Sequence, residues 1–229
     1  MITVIAFDGD DTLWHNESIF SVTQERFRSL MRPYQSEQLD ERLFATETRN
    51  LRLFGYGVKG FTLSMIETAI EVSNGRIQAD EIQNIIDAGK AMLHHPVEPL
   101  EGVRETVEAL RSRYRLMVIT KGDLFDQESK LARSGLADLF WRVEIVSEKD
   151  EPTYRRILTD AGINADEFMM VGNSIKSDIL PVVALGARAV YVPYRLTWAH
   201  ERADLNGAPR ERISTLDSLS GLPSLLEAL

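Results

Sequence analysis

The chain has no cysteine, which excludes disulfides and thiolate chemistry and fits a reducing compartment. It also lacks an apolar run long enough to cross a bilayer, and no basic segment with an apolar region and cleavage site precedes its first strand-like residues. A soluble, cytoplasmic protein without membrane contact is the expectation. Basic residues are in the minority, 26 Lys and Arg against 35 Asp and Glu, for a formal charge of -9 with no basic block. That balance argues against a nucleic-acid polymer as partner, while leaving single phosphate groups open as ligands. Histidine is scarce as well: His15 and His200 stand alone, and the adjacent pair His94-His95 precedes Pro96. Neighbouring histidines point in different directions, so the pair reads as helix-terminal residues favoured near a negative dipole end, not as metal ligands.

What is present is concentrated in Val4-Ile5-Ala6-Phe7-Asp8-Gly9-Asp10-Asp11-Thr12-Leu13, where an apolar run ends in three carboxylates. The run lacks the alternation of a half-solvated strand and suits a central parallel strand covered on both faces. Ligands of such sheets gather beyond the strands' carboxyl ends. Two carboxylates about 4 Å apart repel by roughly 4 kcal/mol at an effective dielectric of 20, so Asp8 and Asp10 call for a cation or a retained proton. Taken alone, the stretch is equally an acidic turn with Thr12 as a helix cap.

At 229 residues the chain can bury a full core and carry an insertion. From about Asn16 to His95 the apolar period is helical throughout: Ile19 to Met31, Leu39 to Leu51, Leu63 to Ile70 and Ile82 to Leu93, with breaks at Pro33, Gly55-Tyr56-Gly57 and Asn74-Gly75. With no strand between these helices, residues 15–96 read as an all-helical insertion, and residues 1–14 with 97–229 as an alternating α/β core. In the core, strands are expected at Arg115–Ile119, Arg142–Val146, Phe168–Val171 and Ala187–Val192. Pro152, Pro181 and Pro223 fit the first turns of helices, and Pro193 to Arg212 shows no period and reads as loop.

Strand exits thus carry Asp8 and Asp10, Thr120 and Lys121, Lys149, and Asn173 with Asp178. In a parallel sheet they share one edge. The set offers carboxylates for a hard divalent cation such as Mg²⁺, a hydroxyl and backbone amides for an anion, and a lysine to neutralise it. A carboxylate beside Mg²⁺ can attack phosphorus to form an acyl phosphate, and a second can protonate the leaving oxygen and then deprotonate water.

Asp8-Gly9-Asp10-Asp11-Thr12-Leu13, Thr120, Lys149 before a Pro-opened helix, and Gly172-Asn173 through Asp178 resemble, in order and position, the four motifs of the haloacid dehalogenase superfamily. The resemblance implies a Rossmann-like core with helices flanking a parallel sheet, and a helical cap domain inserted between the first two motifs. It further implies Asp8 as nucleophile, Asp10 as general acid/base, and Thr120 and Lys149 as phosphoryl-binding groups. Asp8, the Asp10 carbonyl, Asn173 and Asp178 would form the Mg²⁺ site. Lys121 is expected to bind phosphate through its backbone amide more than its ammonium group.

Asn173 departs from the aspartate that many members carry, and the loss of a charge would weaken metal binding. Carbon–halogen hydrolases of the superfamily need neither Asp10 nor Mg²⁺, so the resemblance favours a Mg²⁺-dependent phosphatase of a small phosphorylated metabolite. Its alternatives are a phosphomutase and a catalytically weak binding member. Lys130 reads as a surface charge, or as a substitute phosphate ligand if Lys149 points away. Trp14 is equally an entrance residue or plain packing, and Asp11 a loop or cap residue. Oligomeric state is open.

Overall fold

Val4–Phe7 form strand β1, and all four side chains are fully shielded from solvent. Its residues alternate between two buried faces. Ile5 and Phe7 join one apolar cluster, and Val4 and Ala6 the other. A computed structural model describes residues 1–34, 38–196, 198, 201 and 203–229. Five further strands run parallel to β1: β2 (Arg115–Lys121), β3 (Arg142–Val146), β4 (Phe168–Gly172), β5 (Arg188–Tyr191) and β6 (Ile213–Thr215). Their order is β3-β2-β1-β4-β5-β6.

The first face of the sheet is covered by α5 (Val103–Leu110), by Leu131 of α6 (Leu124–Ser134) and by α9 (Leu222–Glu227); the second by α7 (Glu151–Ala161) and α8 (Leu180–Ala184). This is the expected doubly covered parallel sheet. Prolines 152, 181 and 223 occupy first-turn positions of α7, α8 and α9, where no intrahelical N–H is lost. β6 corrects the sequence reading. It has three residues, none of them buried, and so sends no apolar run through the charged Arg210-Glu211-Arg212 that precedes it.

Residues 18–96 form a separate compact unit; residues 1–17 and 97–229 form the other. The first of these is helical, with α1 (Glu17–Met31) leading into it, followed by α2 (Leu39–Phe54), α3 (Val58–Val72) and α4 (Ala79–His94). Phe27, Met31, Leu43, Met65, Ala69, Ile85 and Met92 make its core. Asn50 is one of the polar residues buried here, donating to Ser64 at 3.1 Å and to Glu67 at 2.8 Å. His94 ends α4 with Nδ1 2.8 Å from the Lys90 carbonyl, as expected of a helix-terminal histidine. His15 pairs with the Tyr194 hydroxyl at 2.7 Å, and His200 lies outside the described residues.

Candidate active site

The sheet order places β1 between β2 and β4, so connections leave it in opposite directions and open a crevice at its carboxyl end. Register then aligns the polar exits. Phe7 is level with Val118 of β2 and with Val171 of β4, which puts Gly9 beside Thr120 and Asn173. Backbone spacing requires a glycine at position 9. A Cβ there would stand 2.8 Å from the Trp14 ring and 3.0 Å from the Thr120 hydroxyl oxygen. The loop then tightens, with the Leu13 amide donating to the Gly9 carbonyl at 2.8 Å and Asp11 at φ 62°. Asp11 is a cap, as expected: one of its oxygens accepts from the Asn16 amide at 2.9 Å and the other from the Glu17 amide at 3.0 Å. Burial, with the neighbouring charge of Asp10 adding to it, pushes the Asp11 carboxyl up to about 7.

Asp8 is buried at the end of β1, its amide bonded to the Val171 carbonyl at 2.9 Å. Lys149 donates to Asp8 Oδ1 and, at 2.7 Å, to Asp178 Oδ1. Lys149 therefore points into the crevice, and no substitute for it is needed. Burial pushes the Asp8 carboxyl up to about 7, with the Lys149 ammonium opposing and Asp178 reinforcing the rise. Burial alone would push Lys149 down, but the two carboxylates outweigh it and raise its pKa, so it stays an ammonium.

Asp178 is delivered by a wide π-helical turn, Ile175–Ile179, of the kind often found at functional sites. The carboxylate folds back so closely that a Cβ on Gly172 would lie 2.3 Å from its Cγ. Both Asp178 oxygens are taken, Oδ1 by Lys149 and Oδ2 by the Ser174 amide at 3.0 Å. The expectation of Asp178 as a metal ligand thus meets a carboxylate already bonded to protein donors.

Asn173 faces Asp8 from across the crevice. With its amide nitrogen turned inward it lies 3.1 Å from Asp8 Oδ2 and 3.2 Å from both the Asp10 carbonyl and the Thr12 hydroxyl. These oxygens converge on the amide nitrogen, which satisfies them by hydrogen bonding. Among the described residues no group of three or more His, Cys, Asp or Glu side chains could hold a metal ion. Turned the other way, the Asn173 amide would present its oxygen beside Asp8 and the Asp10 carbonyl, and that set of oxygen donors fits a hard cation.

Thr120 is buried, and its hydroxyl has no hydrogen-bond partner among the described residues. An unpartnered buried hydroxyl costs about 1–3 kcal/mol, so it marks a place where a ligand oxygen could complete the bonding. Lys121 lies one residue on. Its ammonium bonds Glu201 Oε1 at 2.5 Å and Ser177 Oγ at 3.3 Å. Glu201 also accepts from the Ser174 and Ser177 hydroxyls. Burial would raise the Glu201 carboxyl, but Lys121 and the two hydroxyls outweigh it and bring it down to about 2.

Lys130 differs from its sequence reading, Trp14 takes the packing side of its two readings, and Glu201 makes contacts that the sequence did not announce. Lys130 is no surface charge: its side chain is 12% exposed, and its ammonium holds Asp10 at 3.0 Å. Trp14 is 1% exposed, and its indole N–H donates to Asp10 Oδ1 at 2.8 Å, so it packs and braces and forms no entrance. Glu201 lies in a stretch read as unstructured loop, yet it ties Lys121 to the turn around Asp178. The signal for Lys130 is the inward face of α6, which carries Asp126, Gln127 and Lys130 where apolar residues would be expected.

Sheet, switch-point crevice and the Asp8–Lys149–Asp178 cluster define an α/β protein with a carboxylate-rich site at its strand exits. The chain belongs to the haloacid dehalogenase-like hydrolase family, whose model matches residues 2–186. A solved haloacid dehalogenase-like family hydrolase from Xanthomonas campestris is 44% identical, with a TM-score of 0.89 over 99% of this chain and 91% of that one. Pyrimidine 5'-nucleotidase YjjG of Escherichia coli is 28% identical over 169 residues, 68% of this chain and 72% of that protein. A 2-haloacid dehalogenase from Pseudomonas syringae, 23% identical, shares the fold with a TM-score of 0.66 over 100% of this chain and 99% of that one.

Proposed function

We propose that the protein is a Mg²⁺-dependent phosphatase that hydrolyses a small phosphorylated metabolite through an aspartyl-phosphate on Asp8. The carrying observation is the surroundings of Asp8: one oxygen against Lys149, the other 3.1 Å from the inward-turned Asn173 nitrogen that also meets the Asp10 carbonyl, with the unpartnered Thr120 hydroxyl close to Gly9. The 28% identity to a pyrimidine 5'-nucleotidase supports a phosphate monoester as substrate. Residues 1–14 and 97–229 are read as the catalytic core and 15–96 as its cap domain.

Asp8, the Asp10 carbonyl and Asn173 would hold the Mg²⁺, with the charge of Asp178 close by. When bound, the cation supplies positive charge that keeps Asp8 ionised and neutralises phosphoryl oxygens. The Thr120 hydroxyl, the Lys149 ammonium and the Lys121 backbone amide hold the phosphoryl group. The Asp8 carboxylate attacks phosphorus while the Asp10 carboxylic acid gives its proton to the departing alkoxide oxygen, so one P–O bond forms as the other breaks. Asp10, now a carboxylate, takes a proton from water as that water attacks the aspartyl-phosphate. Inorganic phosphate leaves, and both aspartates return to their starting states.

Purified protein with Mg²⁺ and a panel of phosphate esters, nucleoside monophosphates and sugar phosphates among them, tests this reading. Hydrolysis above an Asp8→Asn control is expected, and none above it would sink the enzyme. One observation favours a second reading, a binding member of the family: the Asn173 amide nitrogen can satisfy Asp8 Oδ2 and the Asp10 carbonyl without a cation. A phosphoryl group trapped on Asp8 would exclude that reading.

A further inference from the structure

We infer that Lys130, together with Gln127 and Trp14, is a positioning residue for the Asp10 carboxylate, through a brace built from α6. Lys130 Nζ lies 3.0 Å from Asp10 Oδ1 and 3.1 Å from Oδ2. Gln127 Nε2 donates to Oδ2 at 2.9 Å, and Trp14 Nε1 to Oδ1 at 2.8 Å. Both oxygens are thus held, and donors from a helix and from the loop itself fix the plane of the carboxylate. Each brace member is itself anchored. Lys130 also donates to Asn16 Oδ1 at 2.8 Å and lies 3.5 Å from Asp126 Oδ2, while Gln127 donates to the Lys121 carbonyl at 3.0 Å.

The composition of this helix face argues for a role beyond packing. A lysine with 12% side-chain exposure is costly to bury, and a leucine at the same place would cost nothing in desolvation. Gln127 is buried with its carbonyl oxygen unpartnered among the described residues, so the residue is placed for what its amide nitrogen does. That nitrogen faces Asp10. A general acid/base must meet both a leaving oxygen and an incoming water, and a misplaced one loses most of its effect. The brace holds the Asp10 carboxylate for the second of those encounters, the one with water in which it acts as a base, while its main-chain carbonyl stays 3.2 Å from the inward-turned Asn173 nitrogen. Lys130 therefore has no ammonium to spare for substrate phosphate.

This inference rests on the acid/base role proposed for Asp10, and the experiment separates the two. Acetyl phosphate, whose leaving group departs without needing a proton, is used with Mg²⁺ to load Asp8, and breakdown of the phosphoenzyme is followed by acid quench. Lys130→Met should slow breakdown about tenfold or more with little change in KM, and Lys130→Arg should recover part of the loss. In an Asp10→Asn background, Lys130→Met should slow breakdown no further. Gln127→Met leaves the Lys130–Asp126 pair in place, so it serves if Lys130→Met fails to fold; it should slow breakdown by a smaller factor, again only when Asp10 is present. Wild-type breakdown rates in Lys130→Met or, failing that, Gln127→Met would overturn the brace. So would equal slowing with and without Asp10. A wild-type protein that never loads Asp8 would overturn the proposed function together with the brace, whereas Asp10-dependent breakdown that ignores α6 would overturn the brace alone.

Discussion

Asp8 and Asp10 leave the same strand two residues apart and meet opposite surroundings. The Asp8 side chain is 10% exposed and faces groups brought by other strand exits, Lys149 and, through it, Asp178. The Asp10 side chain is 23% exposed and is held by a helix and by Trp14 of its own loop. Yet the Asp10 carbonyl remains in the Asp8 crevice, 3.2 Å from the inward-turned Asn173 nitrogen. One residue is thereby divided, its backbone facing the crevice and its side chain held by α6 and Trp14. The contrast teaches how two carboxyl groups that leave one strand two residues apart can share a loop: each receives its own ammonium group.

The contrast can be broken at Asp10. Asp10→Asn should lower kcat on phosphate esters by about 10²–10⁴-fold while leaving the Mg²⁺ dissociation constant within about threefold of wild type. Asp8→Ala should weaken Mg²⁺ by about tenfold or more in the same calorimetric titration, since it removes a charged oxygen from the crevice. Equal loss of metal from both would contradict the division. Thr120→Val sharpens the Asp8 side: turnover should fall by about 10²-fold, while removing an unpartnered buried hydroxyl should stabilise the fold by about 1 kcal/mol, seen as a Tm higher by a few degrees.

Asn173→Asp adds a charge to the same crevice and should tighten Mg²⁺ by about tenfold in calorimetry, leaving the Asp10 brace untouched. The smallest effect belongs to Glu201, at the outer edge of the Asp8 side. Its carboxyl is held at about 2, below the ordinary 4.5. A lowered carboxylate contributes stability that is full above the unfolded value and is lost as pH falls from about 4.5 toward 2. Glu201→Gln should accordingly cost on the order of 1 kcal/mol in urea melts at pH 6, and the gap from wild type should close as the pH approaches 2.

The Asp8 side was legible in the sequence because three of its members, Asp8, Thr120 and Asn173, follow strands whose apolar runs stop abruptly. Val4–Phe7, Leu116–Ile119 and Phe168–Val171 announce themselves by β-branched and apolar residues, and their first polar successors are Asp8, Thr120 and Asn173. The helical period likewise marked the insertion, since α1 to α4 bury their apolar residues at regular spacing. The Asp10 side was not legible in that way. Gln127 and Lys130 sit inside a helix, where a charge is normally on the solvated face, and only the fold turns that face inward. Glu201 was hidden by a segment without period. β6 escaped notice because a three-residue edge strand with half-buried side chains gives no run to detect.

The central claim is that Asp8 is the group that accepts phosphoryl, with Asp10 acting on it and not in its place. Acid-quenched protein, loaded from acetyl phosphate in the presence of Mg²⁺ and mapped by peptide mass spectrometry, tests this directly. The account predicts a phosphoryl group on the peptide containing Asp8 at that residue, absent from Asp8→Asn and longer-lived in Asp10→Asn. A label that persists in Asp8→Asn, or that is found on Asp10, would contradict it.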